Sequence, residues 1–209
     1  IALMVLCMGF DQALIRYFYR FDTIDYQRII LRECVTLPLL CTLLTAIVMN
    51  ILCWCGAVRF EFEPKIMTTL TILVLFQVMN RIDLILLRVT YQTKLYSMLQ
   101  VLTKVLFAGL AIIGCLLLNS QKLFVLTVAS VVSYGVVTVI GIGSQRALWD
   151  FRKIRERYAL NRKELYQYAF PFIVSMGITT LFQAIDKISL KQFCSYEEVG
   201  IYSSAITLV

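Results

Sequence analysis

Two basic residues, Arg81 and Lys104, stand well inside long apolar runs, and the polar residues around them recur at helical spacing. Gln77, Arg81 and Arg88 lie at i, i+4 and i+11, within one narrow stripe of a helix. Thr93, Ser97, Gln100 and Lys104 repeat at i, i+4, i+7 and i+11, and Ala108, Ala111 and Cys115 continue that face with small side chains. A third stripe carries Ser175, Thr179 and Asp186, with Gln183 nearby and Lys187 adjacent. A lysine about seven residues inside a helix lies ~10 Å from its end, farther than its stem comfortably reaches. Charges at such depth are costly and usually face a bundle interior or an aqueous cavity. For Arg81 and Lys104 the pattern therefore points to a water-filled cavity that holds an anionic group without covalent chemistry. The other reading is an interhelical ion pair, with Asp83 as the partner of Arg81 or Lys104, and for Asp83 itself that structural role is the better fit. For Asp186 and Lys187 both readings stay open. Thr127, Ser130 and Thr138 read as helix-packing residues.

Other chemistries are poorly supplied. The chain has no His, and Cys53 and Cys55 fall on different helix faces, so neither a metal site nor a cofactor is expected. The cysteines read as small apolar packing residues. A membrane-embedded enzyme would show paired acids or His at a loop boundary, whereas the loops offer only scattered Asp11, Asp22 and Asp25. No catalytic residue is assigned.

The elements that position these stripes are membrane spans. The chain is 60% hydrophobic with a mean hydropathy of +0.80. Only 16% of it is charged, against about 25% in soluble domains. Uncharged runs cover Cys34 to Val58, Leu123 to Gln145 and Leu165 to Ile185. Each is longer than the ~20 helical residues that cross a ~30 Å hydrocarbon core. The fold class is an all-α integral membrane protein, a polytopic helical bundle. Taking charge breaks as helix ends predicts a partial helix over 1–12 and spans near 34–58, 66–87, 97–118, 123–145 and 168–190. A further helix begins near Gly200. Both ends read as cut within a helix, which makes the chain an internal segment of something larger. The short link Asn119 to Lys122 makes its flanking helices antiparallel neighbours.

Basic residues set the orientation. With the first stub running inward, thirteen of the twenty Lys and Arg face the cytoplasm, four face outside and three lie within spans. A bias of that size normally decides topology. The net charge of +7 thus belongs to cytoplasmic loops, and no nucleic-acid surface is expected. The one long polar connection, Arg146 to Lys163, carries Leu148, Phe151, Ile154 and Tyr158 at helical spacing among basic residues. It suits either an interfacial helix on anionic lipid or a plain solvated linker.

Three segments resemble one family. GFDQALIRYFYRFD (9–22) places Gly9, Ala13, Arg16, Tyr17 and Tyr19 as in the second helix and following loop of the polysaccharide-export flippases. These belong to the multidrug/oligosaccharidyl-lipid/polysaccharide superfamily. LLRVTYQTKLYSMLQVLTKVL (86–106) is similar to the junction of the family's fourth and fifth helices. FPFIVSMGITTLFQAIDKISLKQFCSYEEVGIYSSA (170–205) resembles its seventh helix and the start of the eighth. There Pro171 opens the seventh helix, Asp186 and Lys187 lie near its end, and Val199 to Ser203 with Ala205 lead into the next.

The resemblance implies a fragment of a two-lobe, alternating-access flippase. Residues 1–145 would be the first-lobe helices, 146–167 the cytoplasmic inter-lobe linker and 168–209 the start of the second lobe. Its implied substrate is an undecaprenyl-pyrophosphate-linked oligosaccharide for polysaccharide or O-antigen synthesis, moved across the bacterial cytoplasmic membrane. Arg81, Lys104, Gln77, Gln100, Arg16, Ser175, Thr179, Asp186 and Lys187 are the candidate cavity residues. Membrane lipids, a glycan polymerase and other polysaccharide-assembly proteins are the implied partners. A drug/cation antiporter or a peptidoglycan-precursor flippase of the same superfamily remains open. The topology is testable by labelling single cysteines introduced into a cysteine-free background. Positions in 146–163 should react only from the cytoplasm and those in 59–65 only from outside; the reverse pattern would overturn the orientation.

Overall fold

The computed structural model of the protein describes residues 9–21, 23–55, 64–117, 122–151 and 162–193, together with 195, 198, 200 and 202. The side chains of 64, 183, 184, 186–188, 191 and 192 fall outside that description. The described residues form helices and no strand: α1 (Phe10–Tyr17), α2 (Ile24–Trp54), α3 (Pro64–Val89), α4 (Thr93–Leu117), α5 (Lys122–Ser144), α6 (Arg146–Trp149) and α7 (Arg162–Phe193). Five of them, α2, α3, α4, α5 and α7, are long and apolar enough to cross a membrane. The most apolar stretch of α4 has a mean hydropathy of 2.0, yet only 11% of it is buried within the protein. Leu40, Leu44 and Ile47 on α2, Ile112 and Leu116 on α4, and Ile178 and Leu181 on α7 all point outward. Surface of this kind belongs in lipid, where the backbone is satisfied within each helix.

The helices α3, α4 and α5 form the best-packed group. A tight turn joins α3 to α4, with Gln92 N–H donating to the Leu87 carbonyl at 2.9 Å and Tyr91 in the left-handed region at φ 58°. This is the six-to-one closure that normally uses glycine. Tyr19 reaches over from the α1–α2 connection and donates its hydroxyl to the Val89 carbonyl at 2.8 Å. Contacts of Leu99 with Val137 at one end and of Gly114 with Val125 at the other set α4 and α5 antiparallel, as the short link predicted. Gly135 against Phe76 and Gly141 against Asp83 make α5 parallel to α3. On the far side of α3, Asn50 of α2 donates to Thr71 at 3.1 Å and accepts from Thr68 at 3.2 Å.

Two helix starts differ from expectation. Helix α2 begins at Ile24, not near 34, because its charged first turns are satisfied without ending the helix. Arg28 pairs with Asp25 at 3.0 Å and donates to the Ala147 carbonyl at 2.8 Å, and Glu33 receives Arg162 at 2.8 Å. Helix α7 likewise begins at Arg162, so Pro171 lies inside it and does not open it. Charge breaks here mark where a helix leaves the hydrocarbon, not where it stops. The polar connection also turns inward at its start: α6 is a single turn, and Leu148, Trp149 and Phe151 pack onto the buried core instead of lying on lipid.

Helix α7 meets the others mainly through α1. Phe10 packs edge-on against Tyr166 at 5.7 Å and Tyr17 against Tyr168 at 5.8 Å. The close approach depends on Gly9, whose φ is 67° and whose missing Cβ would stand 2.7 Å from the Ala169 carbonyl oxygen and from Phe172 Cβ. Gly9→Ala should therefore lose stability twice over, by about 1–2 kcal/mol for the left-handed backbone and further through the clash. A lowered midpoint of thermal unfolding for the purified variant is the expected reading.

Candidate functional site

Lys104 lies on a groove between α3, α4 and α5. Asn80 and Leu84 come from α3; Gln100, Val101, Thr103, Lys104 and Val105 come from α4; Tyr134 comes from α5. The groove holds about 440 Å³, within the range of roughly 300–1,000 Å³ usual for small-ligand sites. Its lining is half polar and half apolar by residue, and no carboxylate is present. The Lys104 side chain is exposed and closes no ion pair or hydrogen bond with the described residues. Thr103 is buried and donates to the Leu99 carbonyl at 2.7 Å, which leaves its hydroxyl proton committed to its own helix.

A polar ladder leads along α4 to this ammonium. At the α3–α4 turn, Arg88 donates to the Tyr96 hydroxyl at 2.7 Å, with its guanidinium 5.1 Å from that ring's centre. Gln100, one turn further along α4, donates to the same oxygen at 2.8 Å. Tyr96 thus accepts from both neighbours, and its own O–H proton is left to donate to a ligand. Sequence reasoning placed Gln100, Lys104 and Arg88 in stripes but passed over Tyr96. Its position one turn before Gln100 was the available signal.

Arg81 is elsewhere. It pairs with Asp11 of α1 at 2.7 Å, and that carboxylate side chain is only 1% exposed against 25% for the arginine. Asp11 also receives the Gln12 N–H at 3.0 Å. The partner of Arg81 is therefore neither Asp83 nor a solvent cavity. Gln77 shares the Arg81 stripe and does not line the groove, so Arg81 on α3 and Lys104 on α4 do not meet in one cavity. Asp83 is fully buried and pairs with neither of them.

The remaining candidates separate as well. Arg16 is exposed and lies over the Tyr168 ring at 4.4 Å, beside a second groove of about 400 Å³ formed with Tyr17, Tyr19, Arg20 and Glu164. Arg20 and Glu164 pair there at 3.0 Å, and the hydrogen bond and charge of Glu164 raise the Arg20 pKa above its ordinary value. Ser175 and Thr179 are exposed on α7, where Thr179 donates to the Ser175 carbonyl at 3.0 Å. The side chains of Asp186 and Lys187 lie outside the described residues. Of the expected cavity residues whose side chains are described, the structure thus brings only Lys104 and Gln100 together on this groove. Thr127, Ser130 and Thr138 each donate to a carbonyl of their own helix, not to a neighbouring helix.

No protein-family model, no curated protein and no solved structure matches this chain.

The Arg81–Asp11 pair generates a stability prediction. Removing one member of a buried ion pair costs about 3–5 kcal/mol, because the other charge is left stranded. Arg81→Ala should lower the amount of folded protein recovered. Combining Arg81→Gln with Asp11→Asn should recover more of it than Arg81→Ala alone. Equal recovery of the wild type and Arg81→Ala would show that the pair contributes little.

Proposed function

We propose that this chain belongs to a multi-pass transporter of the bacterial cytoplasmic membrane that flips an undecaprenyl-pyrophosphate-linked oligosaccharide by alternating access. The observation that carries the reading is Lys104: an ammonium without a partner among the described residues, in a groove with polar residues on one wall and an apolar wall that opens outward. Gln100 and Tyr134 offer donors and acceptors to sugar hydroxyls and phosphate oxygens, with the buried Asn80 behind them. Val101 and Val105 are exposed beside them, where a polyprenyl chain would remain in contact with lipid. Arg88 and Tyr96 extend the cationic, donor-rich face toward the helix end. Binding and release of such a head group require no bond to be made or broken, so the reading is of a transporter and not an enzyme.

The alternative of a drug/cation antiporter is less well supported, since a cationic substrate would meet Lys104 and no carboxylate in this groove. Pyrophosphate supplies the complementary charge. The resemblance of residues 9–22, 86–106 and 170–205 to the polysaccharide-export flippases points the same way. It would place the protein beside a glycan polymerase and other polysaccharide-assembly proteins.

The test uses the complete protein in cells that depend on it for export of lipid-linked oligosaccharide. Lys104→Ala should abolish export while the protein still accumulates in the membrane, because the side chain has no partner among the described residues to lose. Lys104→Arg should retain part of the activity, since positive charge more than shape is required. Normal export by Lys104→Ala would overturn the reading.

A further inference from the structure

A second polar cluster lies on another face of α3, and nothing in the transport reading uses it. Asp83 is 1% exposed, and its Oδ1 has no hydrogen-bond partner. Its carboxylate sits against Gly141 of α5 so closely that a Cβ there would fall on Oδ2. The indole of Trp149 on α6 approaches the same carboxylate, yet its buried Nε1 closes no hydrogen bond of good geometry. Gln145 is bracketed by these two contacts. It stands one turn beyond Gly141, accepts the Trp149 backbone N–H at 3.3 Å on its own backbone carbonyl, and is 4% exposed. Both its side-chain Nε2 and Oε1 are without partners. The buried Asp83 and Gln145 and the half-buried Trp149 therefore hold one unused carboxylate oxygen, one unused amide oxygen and two unused N–H donors. Buried polar atoms are seldom left in this state, and each calls for an explanation.

Charged neighbours among the described residues do not supply one. On α1, Asp11 is taken by Arg81, and on α2 Arg28 is held by Asp25 and the Ala147 carbonyl. The described elements around it also carry Tyr26, Arg32, Glu33 and Cys34 on α2, Tyr96 and Lys104 on α4, Tyr134 on α5 and Arg146 on α6, and no described Lys or Arg forms an ion pair with Asp83. An ionised carboxylate buried without a countercharge is strongly disfavoured. A hard metal cation would find only two unused side-chain oxygens, against the six or more such ions take.

We propose that Asp83, Gln145 and Trp149 form a proton-binding site. Asp83 takes one proton from the aqueous phase and, as the acid, donates it to the Gln145 Oε1. On losing that proton to water, the carboxylate accepts instead from the Trp149 Nε1 and the Gln145 Nε2. The set of donors and acceptors matches both states, which a purely structural carboxylate would not need. This site is independent of the transport reading at Lys104.

Trp149 is also the reporter. The chain has two tryptophans, so Trp54→Phe leaves Trp149 alone. In the complete protein reconstituted in lipid nanodiscs, Trp149 emission should follow a single-proton curve as pH is raised at constant ionic strength. Asp83→Asn, which mimics the protonated acid, should abolish that curve while keeping the low-pH spectrum. A curve that persists in Asp83→Asn would overturn the proposal, as would pH-independent emission in the parent, the signature of a carboxylate satisfied by fixed water. Emission that follows sodium at fixed pH would overturn it in favour of a cation. Should Asp83→Asn fail to fold, dicyclohexylcarbodiimide gives a reading on the unaltered chain, because it modifies the protonated acid. Labelling of the peptide containing Asp83 should fall as pH rises; labelling that is absent or indifferent to pH would refute the site.

Discussion

A charge buried in an apolar bundle must find its counter-charge, and the 2.7 Å contact between Arg81 and Asp11 is where this chain meets that demand. The contact joins α1 to α3 across seventy positions of sequence. It also fixes how α3 is turned about its own axis. With Arg81 held against α1, helical geometry sends Asn80 and Leu84 toward α4 and Asp83 toward α5. The groove and the buried carboxylate are consequences of that single rotation. Apolar packing alone would define it less sharply, because Val78, Ile82 and Leu86 present a broad apolar face that several rotations could bury.

The same demand separates Arg81 from Lys104. Arg81 is neutralised by a carboxylate and serves the fold, whereas Lys104 has no described partner and remains available to a ligand. Depth within a helix does not distinguish these cases. Both residues lie far from a helix end, and each shares a stripe with polar neighbours. What distinguishes them is the opposing helix, since α1 brings Asp11 to one and the groove wall brings only neutral side chains to the other.

This is why the sequence was legible to different degrees. The spans over 66–87, 97–118 and 123–145 correspond closely to α3, α4 and α5, because long, predominantly apolar runs leave little choice of structure in a bilayer. The start of α2 was not legible, since Asp25, Arg28 and Glu33 satisfy one another or reach Ala147 and Arg162, none of which a local window includes. Gln100 and Lys104 were found together because they lie on one helix. Tyr96 was passed over because its polar role comes from Arg88 across the turn. The partner of Arg81 was sought at Asp83, close in sequence, and lay at Asp11. Hydroxyl stripes were the least informative signal: Thr42, Thr45, Thr69, Thr90 and Thr103 all donate to carbonyls one turn back, which hides a polar atom in lipid without any ligand.

Helix α3 therefore carries three polar residues on three faces within one turn: Asn80 in the groove, Arg81 on α1 and Asp83 against α5. A rigid helix cannot turn one of these without turning the others. Protonation of Asp83, on the reading proposed above, would change what holds α3 to Gln145 and Trp149 while Arg81 keeps its hold on α1. The motion favoured by that asymmetry is a small tilt or slide of α3 against α5, pivoting on the Arg81–Asp11 pair. Asn80, one turn from Asp83, would move with it and alter the wall opposite Lys104. Gly141 removes the side chain that would otherwise obstruct such a slide at the carboxylate. A proton and an anionic head group could thus influence each other through one helix, with no direct contact between their sites.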